Sequence, residues 1–474
     1  MRRRNPHAAY GDSRPVPLTA LKRIRHHWFS PQLWLRRLVL WGGAICVGSI
    51  AILFAMGAEQ ANILLHRMVS YSPYLPLVIT PAGLALAVYV TRRIFPGAEG
   101  SGIPQVIAAL QTQDDKLRSS VLSLKVAAGK IVVTMFGLVV GAAIGREGPT
   151  VQIGASIMHA LGRFVRFSRQ ETERGLILAG GAAGVAAAFN TPLAGIVFAI
   201  EEMSRSFEER TSGTILTAVI IAGITSLAVL GDYPYFGYTS AVLPLDIAWI
   251  AVIVCGAGGG LAGGIFSRMV IASSHGLPGK AGLLQRKRPV LFAAACGLVL
   301  AVLGLLSAST TYGTGYHEAR SVLEGNGQVP AMYGVLKLLA TAVSYASGIP
   351  GGLFSPSLAV GAGFGLNISE IMPYAPAGAV VLLGMAGYFA GVVQAPITSF
   401  VIVIEMTDNH QLALPLMATA LLASGTSRLI CPSPIYKALS EGFLARSKVG
   451  RVGEAPAKGQ GAKAGEPPAV APGS

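Results

Sequence analysis

The chain has 474 residues, of which 52% are hydrophobic and 12% are charged, and its formal net charge at pH 7 is +15. Soluble domains carry about 25% charged residues, so this composition excludes an ordinary soluble protein and predicts a membrane protein with many apolar segments. The basic excess gathers in the first 37 positions, which is typical of a cytoplasmic flank and not of a nucleic-acid-binding surface.

Residues 1–37 are therefore predicted to be a basic cytoplasmic N-terminal segment. Apolar runs follow from residue 38 to residue 425, and we predict a transmembrane domain over residues 38–446. Several runs are too short to cross a membrane alone and are interrupted by glycine or proline, which is typical of broken helices around a central binding site. Residues 447–474, rich in Ala, Gly, Pro and Lys, are predicted to be a disordered cytoplasmic tail.

The two halves of the predicted domain resemble each other. Residues 178–201 align without gaps with residues 382–405, and leucine, glycine, alanine, proline, isoleucine and glutamate recur at the same places. An all-α fold of two homologous repeats, about 38–230 and 243–446, explains this match. The match itself does not set the orientation of the repeats in the membrane.

Three glycine-rich turns, at 100–104, 145–149 and 351–356, each precede an apolar helix. Glycine lets a backbone approach a ligand closely, and a helix start presents free N–H groups that attract anions. A single turn of this kind is an ordinary loop cap. Three in one apolar chain, two of them related by the repeat, indicate an anion site.

The second turn contains Glu147 between two apolar runs. A carboxylate inside apolar sequence of membrane length is costly to bury and marks an ion or proton pathway. Because it lies at a helix start, this negative side chain can occupy the place of an anion. The alternative interpretation is a structural ion pair with Arg146.

Six motifs follow one another in the chain: GSGIP (100–104), GREGPTVQIG (145–154), FNTPLAGIVFAIEEM (189–203), GGLFSP (351–356), APITSFVIVIEMTD (395–408) and SPIY (433–436). With them the chain resembles the CLC chloride channel/transporter family, and in particular its bacterial chloride/proton antiporters. The resemblance implies two inverted repeats whose broken helices meet at an anion site at the membrane midplane. It also implies a homodimer with one pathway per subunit, and no cofactor or metal.

Position by position, the resemblance assigns two glutamates to proton transfer. Glu147 corresponds to the external gating glutamate, whose carboxylate mimics the anion until it is protonated. Glu202 corresponds to the inner proton-accepting glutamate; the alternative is a carboxylate on the cytoplasmic surface. Glu201 points elsewhere because adjacent helical residues lie about 100° apart, and with its repeat counterpart Glu405 it is interpreted as structural.

The resemblance also implies a cage for chloride. Ser101 and Tyr436 would donate their hydroxyl groups to the anion, and serine at position 101 favours chloride over nitrate. Taken alone, Ser101 could cap a helix and Tyr436 could be an aromatic residue of the membrane interface. The other predicted anion-binding positions, mainly backbone donors, are Gly102, Ile103, Arg146, Gly148, Leu353 and Phe354. Lys125 is expected near the pathway, or else at a helix end with its amine in water.

The sequence departs from the family after Ser101, where relatives have glutamates at the positions of Gln105, Ile107 and Gln111. This thinner carboxylate network leaves a passive chloride channel as the alternative to exchange. An intramembrane enzyme lacks any supporting motif, and a fluoride-specialised relative fits the GREGP turn less well.

We therefore predict chloride/proton exchange by a multi-pass protein of a bacterial inner membrane, with both termini in the cytoplasm. Its partners would be chloride, protons, the bilayer and a second copy of the chain, but no nucleic acid.

Overall fold

The structure is a computed structural model, and it describes residues 31–164, 170–204, 209–231, 233–325 and 329–453. Within these ranges the chain is almost entirely helical, and pairing between extended segments is limited to two isolated bridges. The predictions for residues 1–30 and 454–474 lie outside the described residues.

The first half contains helices of very different lengths, and a π-helical turn, Ala199–Ser204, continues one of them. The helices are α1 (Pro31–Tyr71), α2 (Pro76–Arg93), α3 (Ile103–Gln111), α4 (Asp115–Val121), α5 (Leu124–Val139), α6 (Glu147–Phe164), α7 (Gln170–Phe189), α8 (Pro192–Phe198) and α9 (Glu209–Leu230). Three segments here are long and apolar enough to cross a membrane: Trp34–Tyr71, Asp115–Val139 and Gly213–Leu230.

The second half contains α10 (Ile250–His275), α11 (Gly279–Lys287), α12 (Pro289–Leu306), α13 (Tyr316–Leu323), α14 (Tyr333–Ala346), α15 (Phe354–Ile371), α16 (Ala377–Val393), α17 (Pro396–Thr407), α18 (Ala413–Ile430) and α19 (Ile435–Gly453). Three further segments of spanning length are Ile247–His275, Pro289–Leu306 and His410–Ile430. The short helices between them agree with the predicted broken-helix architecture.

The described helices extend beyond the apolar segment at both ends. Helix α1 is described from Pro31, before residue 38, and α19 is described as far as Gly453. Extending an existing helix adds one hydrogen bond per residue fixed, which is much easier than starting one. The predicted domain boundaries at residues 38 and 446 stay predictions.

The described helices confirm the predicted repeat. Asn190 and Gln394, at equivalent positions just before a helix that starts with proline, both have a left-handed backbone with φ of 57°. Gly154 of α6 packs on Gly180 of α7 so closely that an added Cβ would collide with the facing carbonyl, and the same contact joins α15 to α16. The two halves thus share both their order of helices and their helix contacts.

Each repeat also supplies a carboxylate to a helix start in the other. Glu201 accepts hydrogen bonds from the backbone N–H groups of Ile397 (3.1 Å) and Thr398 (2.6 Å) at the start of α17. Glu405 accepts the equivalent pair from the start of α8, at 3.0 and 2.6 Å. Because the first N–H groups of a helix lack intrahelical partners and lie at its positive end, both contacts stabilise the junction of the repeats. This arrangement agrees with the structural role predicted for the two glutamates.

Two buried lysines hold the loops that lead into α3 and α13. Lys130 Nζ donates to the carbonyls of Ala98 (2.7 Å) and Gly100 (2.8 Å). Lys337 Nζ donates to the three consecutive carbonyls of residues 311–313, at 2.9 to 3.1 Å. The side chain of Lys125 is exposed, so the lysine beside the Ser101 turn is Lys130 and not Lys125.

Replacing Lys337 by methionine is expected to lower the thermal unfolding midpoint. Methionine fills similar space but donates no hydrogen bond, and a buried acceptor left without a donor costs roughly 1–3 kcal/mol. Thermal unfolding in detergent, followed by circular dichroism, measures the effect. The matched control is Lys125→Met, whose midpoint should equal that of the wild type. Equal midpoints for both variants would show that the Lys337 hydrogen bonds do not stabilise the fold.

Candidate functional site

Backbone hydrogen bonds join the three glycine-rich turns to one another. Gly145 and Gly352 exchange two N–H···O bonds of 2.7 Å each. Gly100 donates to the carbonyl of Ile349 at 3.2 Å and accepts from the N–H of Gly351 at 3.0 Å. The turns come from both repeats, so the starts of α3, α6 and α15 meet at one place, as expected for a shared binding site.

Ser101 lies in the first of these turns and is completely buried. The next residue, Gly102, has a φ of 104°, which glycine adopts readily, and it directs the chain into α3 at Ile103. The hydroxyl of Ser101 lies against Gly148 of the second turn, where an added Cβ would collide with it. Among the described residues, this hydroxyl has no hydrogen-bond partner.

The second residue of α19, Tyr436, brings another hydroxyl to the same place. Its ring stacks on that of Phe354, with centroids 6.3 Å apart and an angle of 15° between the planes. The buried hydroxyl interacts with the hydroxyl of Ser101 and, electrostatically, with Glu202 and Glu147. Two buried hydroxyl groups therefore lie next to each other, and neither has a hydrogen bond of good geometry with the described residues, although buried polar groups normally have partners.

Helix α15 supplies backbone donors at this point. Leu353 precedes the helix and Phe354 begins it, and both side chains are buried. The first N–H groups of a helix have no intrahelical acceptor and carry the positive end of the helix dipole. The aromatic ring of Phe354 is held by contacts with Phe189, Phe198 and Phe389, at centroid distances of 4.7 to 5.8 Å.

The buried Glu147 is the first residue of α6. Its Oε1 atom accepts a hydrogen bond of 2.6 Å from the hydroxyl of Ser355. Its Oε2 atom lies against Gly145 and has no hydrogen-bond partner in the part of the chain that the structure describes. Arg146 Nε is 3.9 Å from Oε1, so the two side chains form a long ion pair, as in the alternative of a structural pair.

Ser355 is a site residue that the sequence did not indicate. Within the aligned turns it takes the place that Gly148 has in the first repeat. The available signal was the serine of the second repeat at the position of a glycine in the first. Only the contact between the two turns shows that this serine reaches Glu147.

The side chain of Arg146 points to a different place from the hydroxyls of Ser101 and Tyr436. Its guanidinium lies 5.9 Å from the ring centroid of Tyr235. It lines a cavity of about 650 Å³, which we call the vestibule. The other polar residues that line it are Glu59, Gln60, Asn62, Tyr233, Tyr235, Thr314, Tyr316, His317, Arg320, Ser321 and Glu324. The structure thus separates Arg146 from the remaining predicted anion-binding residues, which converge.

Glu202 lies in the π-helical turn that follows α8, and only 2% of it is exposed. Short π-helical turns are frequent at functional sites. Because the side chain is buried and interacts with Tyr436, the alternative of a cytoplasmic surface carboxylate is wrong. Its neighbour Glu201 faces α17 instead, as described above.

Helix α3 offers no carboxylate between the site and its end. Gln105 and Ile107 are buried, and the side-chain amide of Gln105 donates to the carbonyl of Glu99. Gln111 is exposed. Within the described residues, no group of three or more His, Cys, Asp or Glu side chains is placed to hold a metal ion.

A family model described as voltage gated chloride channel matches residues 83–428, which is most of the chain. The matched range includes all three glycine-rich turns but ends before Tyr436. The chain belongs to the voltage-gated chloride channel (CLC) family. The resemblance inferred from the motifs is confirmed.

Solved structures place this CLC chain with transporters of the same fold. It is similar to a slow cyanobacterial Cl⁻/H⁺ antiporter, at 27% identity and a TM-score of 0.74, over 86% of this chain and 99% of that chain. A CLC-type fluoride/proton antiporter gives 22% identity and a TM-score of 0.73, over 86% and 98% of the two chains. A eukaryotic CLC transporter gives 21% identity and a TM-score of 0.69, over 86% of this chain and 75% of that chain. The last two show the fold alone, and the predicted fold of a multi-pass helical membrane protein is confirmed.

Proposed function

We propose that this CLC protein exchanges chloride for protons, with Glu147 as a protonatable gate and Glu202 as the proton acceptor on the opposite side. The observation that carries the proposal is the position of the Glu147 carboxylate. It lies where three helix starts meet, it is held by one neutral hydroxyl, and the buried hydroxyls of Ser101 and Tyr436 lie nearby.

The chloride cage in this proposal consists of neutral donors. Ser101 and Tyr436 provide hydroxyl groups, and the backbone at Gly102–Ile103, Gly148 and Leu353–Phe354 provides N–H groups at helix starts. Such donors replace the hydration shell of a halide, while the absence of a full positive charge from the cage leaves the ion able to depart. Arg146 adds a positive potential from the vestibule side.

Coupling follows from competition between the carboxylate and chloride. When ionised, the Glu147 side chain fills the position that an anion would take beside the N-terminal ends of α6 and α15. A proton neutralises it, and a neutral carboxyl group is held much less strongly there, so chloride can replace it. Glu202, buried beside Tyr436 on the other side of the cage, supplies or accepts that proton.

A passive chloride channel is the second candidate, and helix α3 favours it. The absence of carboxylates at Gln105 and Ile107 leaves Glu202 with fewer titratable neighbours than the family pattern provides. Under either candidate we propose a homodimer in a bacterial inner membrane, with both termini in the cytoplasm and no cofactor. The similarity to the cyanobacterial Cl⁻/H⁺ antiporter supports exchange.

The proposal is tested by measuring proton movement in voltage-clamped liposomes. A chloride gradient drives the exchange, and protons are followed as they move against their own gradient. The wild type should move protons uphill. Glu202→Gln should reduce proton flux by about 100-fold, the usual value of a positioned proton-transfer group, while chloride flux remains. The matched control is Glu405→Gln, which changes a carboxylate outside the pathway and should retain coupling.

The other outcomes separate the candidates. Chloride flux without proton movement in the wild type would overturn exchange and establish the channel. Flux of fluoride or nitrate in preference to chloride would overturn the role given to Ser101. Equal loss of proton coupling in Glu202→Gln and Glu405→Gln would show that Glu202 acts through the fold and not as a proton carrier.

A further inference from the structure

Tyr235 lies in the segment between α9 and α10, far in the chain from all three turns of the site, yet only 4% of it is exposed. Aromatic rings enclose its own ring: those of Phe189, Phe236 and Tyr316, at centroid distances of 5.5, 5.0 and 4.7 Å. The next residue, Phe236, donates its backbone N–H to the carbonyl of Met406 at 2.9 Å. The segment is therefore fixed to the end of α17, and the phenol has a defined position.

The hydroxyl of Tyr235 contacts two groups that belong to the gate. It makes a side-chain hydrogen bond with Ser355, the residue that donates to Glu147. It makes another with Arg146, whose guanidinium lies 5.9 Å from the centroid of the phenol ring. Tyr235 thus joins the two side chains that flank the carboxylate of Glu147.

The numbers of donors and acceptors set the direction of these bonds. Ser355 has one O–H, and it donates that proton to Glu147 at 2.6 Å, so its oxygen accepts from Tyr235. Burial raises the pKa of Tyr235, so the phenol keeps the proton that it donates to the serine. The phenol oxygen in turn accepts from Arg146, because a guanidinium has donors only.

The result is a chain of three hydrogen bonds that all point towards Glu147. Bonds in such a chain polarise one another, so Tyr235 strengthens the donation from Ser355 to the carboxylate. The titratable and charged groups that face this carboxylate are Arg146 beside it, Tyr235, and Tyr436 from α19. An ionised carboxylate, which only accepts, fits the chain, whereas a protonated one presents a donor of its own to the serine.

We propose that Tyr235 is a positioning residue of the gate: it orients the Ser355 hydroxyl towards Glu147 and so favours the ionised carboxylate in the place of the anion. The proposal rests on the proposed function, because it assigns Tyr235 a part in the gate. Removing the phenol hydroxyl makes the carboxylate easier to protonate, so the gate opens at a higher pH.

The pH dependence of chloride flux in liposomes tests this role. Flux should rise as the pH falls, and in Tyr235→Phe the midpoint of this rise should lie about half a pH unit higher than in the wild type. Ser355→Ala removes the direct bond to the charge and should shift the midpoint in the same direction by about one to two pH units. The double variant should match Ser355→Ala, because both residues act through one bond.

Two controls separate this role from a general effect of losing a tyrosine hydroxyl. Tyr388→Phe removes another buried hydroxyl, one without a hydrogen-bond partner in the described ranges, and should leave the midpoint unchanged. In the Glu147→Gln background, Tyr235→Phe should change nothing. A wild-type midpoint in Tyr235→Phe, or shifts that add in the double variant with Ser355→Ala, would overturn the proposal.

Infrared absorption provides a readout that does not depend on transport. The band of the protonated carboxyl group, identified by its absence in Glu147→Gln, should appear at a pH about half a unit higher in Tyr235→Phe than in the wild type. Equal midpoints would overturn the role of Tyr235 even if chloride/proton exchange is established. A shifted midpoint in a protein that moves no protons uphill would uphold the role and overturn only the exchange.

Discussion

Glu147→Gln is expected to abolish proton movement while chloride continues to flow. Glutamine keeps the size of the side chain and can still meet the Ser355 hydroxyl, but it carries no charge and binds no proton at accessible pH. It therefore cannot compete with chloride at the helix starts, and it cannot carry a proton past the cage. Proton flux driven by a chloride gradient should fall by about 100-fold or more, to the detection limit.

The same liposome assay distinguishes a gate from an ordinary buried carboxylate. Chloride flux in Glu147→Gln should equal or exceed that of the wild type, and titration of the gate should no longer make it change with pH. Glu370→Gln makes the same chemical change at an exposed position at the far end of α15, and its coupling should match the wild type. Retained proton coupling in Glu147→Gln would refute the gate and require another carboxylate in the pathway.

Gly148→Ala is expected to reduce chloride flux by about tenfold or more. The reason is that a binding site works only when its donor groups, here the Ser101 hydroxyl, are placed to within less than an ångström. An added Cβ would collide with the hydroxyl of Ser101, and it would lie 2.8 Å from the carbonyl of the same residue and 3.3 Å from the Cα of Gly352. The neighbours are mostly backbone and cannot rotate away, so the methyl group would displace the Ser101 hydroxyl from the cage.

The control for this substitution is Gly258→Ala on α10, where no atom lies within 4 Å of the added Cβ. Gel filtration and the thermal midpoint show whether each variant is folded before chloride efflux from liposomes is compared. A folded Gly148→Ala protein with wild-type efflux would mean that the three turns can move apart without loss of the site, which would contradict the rigid cage.

Much of the site was predictable because it depends on local rules. A carboxylate within an apolar stretch is costly in a membrane, and three glycine-rich helix starts in one apolar chain indicate an anion site. Glu147 and the turns at 100–104 and 351–356 could be identified on these grounds, whereas the role of Ser101 came from the family resemblance. The repeat made the helix order predictable, because homologous segments keep the same pattern of apolar runs.

The contacts that depend on the meeting of the two repeats were not predictable. Ser355 is about 200 residues from Glu147 in the chain, yet it is the donor that holds the carboxylate. Lys130, and not Lys125, is buried, because only its position on α5 faces the carbonyls before Ser101. The side chain of Arg146 turns to the vestibule although its backbone belongs to the central turn.

The sequence by itself determined the membrane environment, the repeat and the three glycine-rich turns. These follow from composition, from the cost of burying polar groups and from backbone preferences, all of which act over a few residues. Only the tertiary structure decided which side chain pairs with which, how deeply Glu202 is buried and that His317 reaches Glu59 across a cavity. Those contacts join segments far apart in the chain, and their geometry arises from the packing of one repeat against the other.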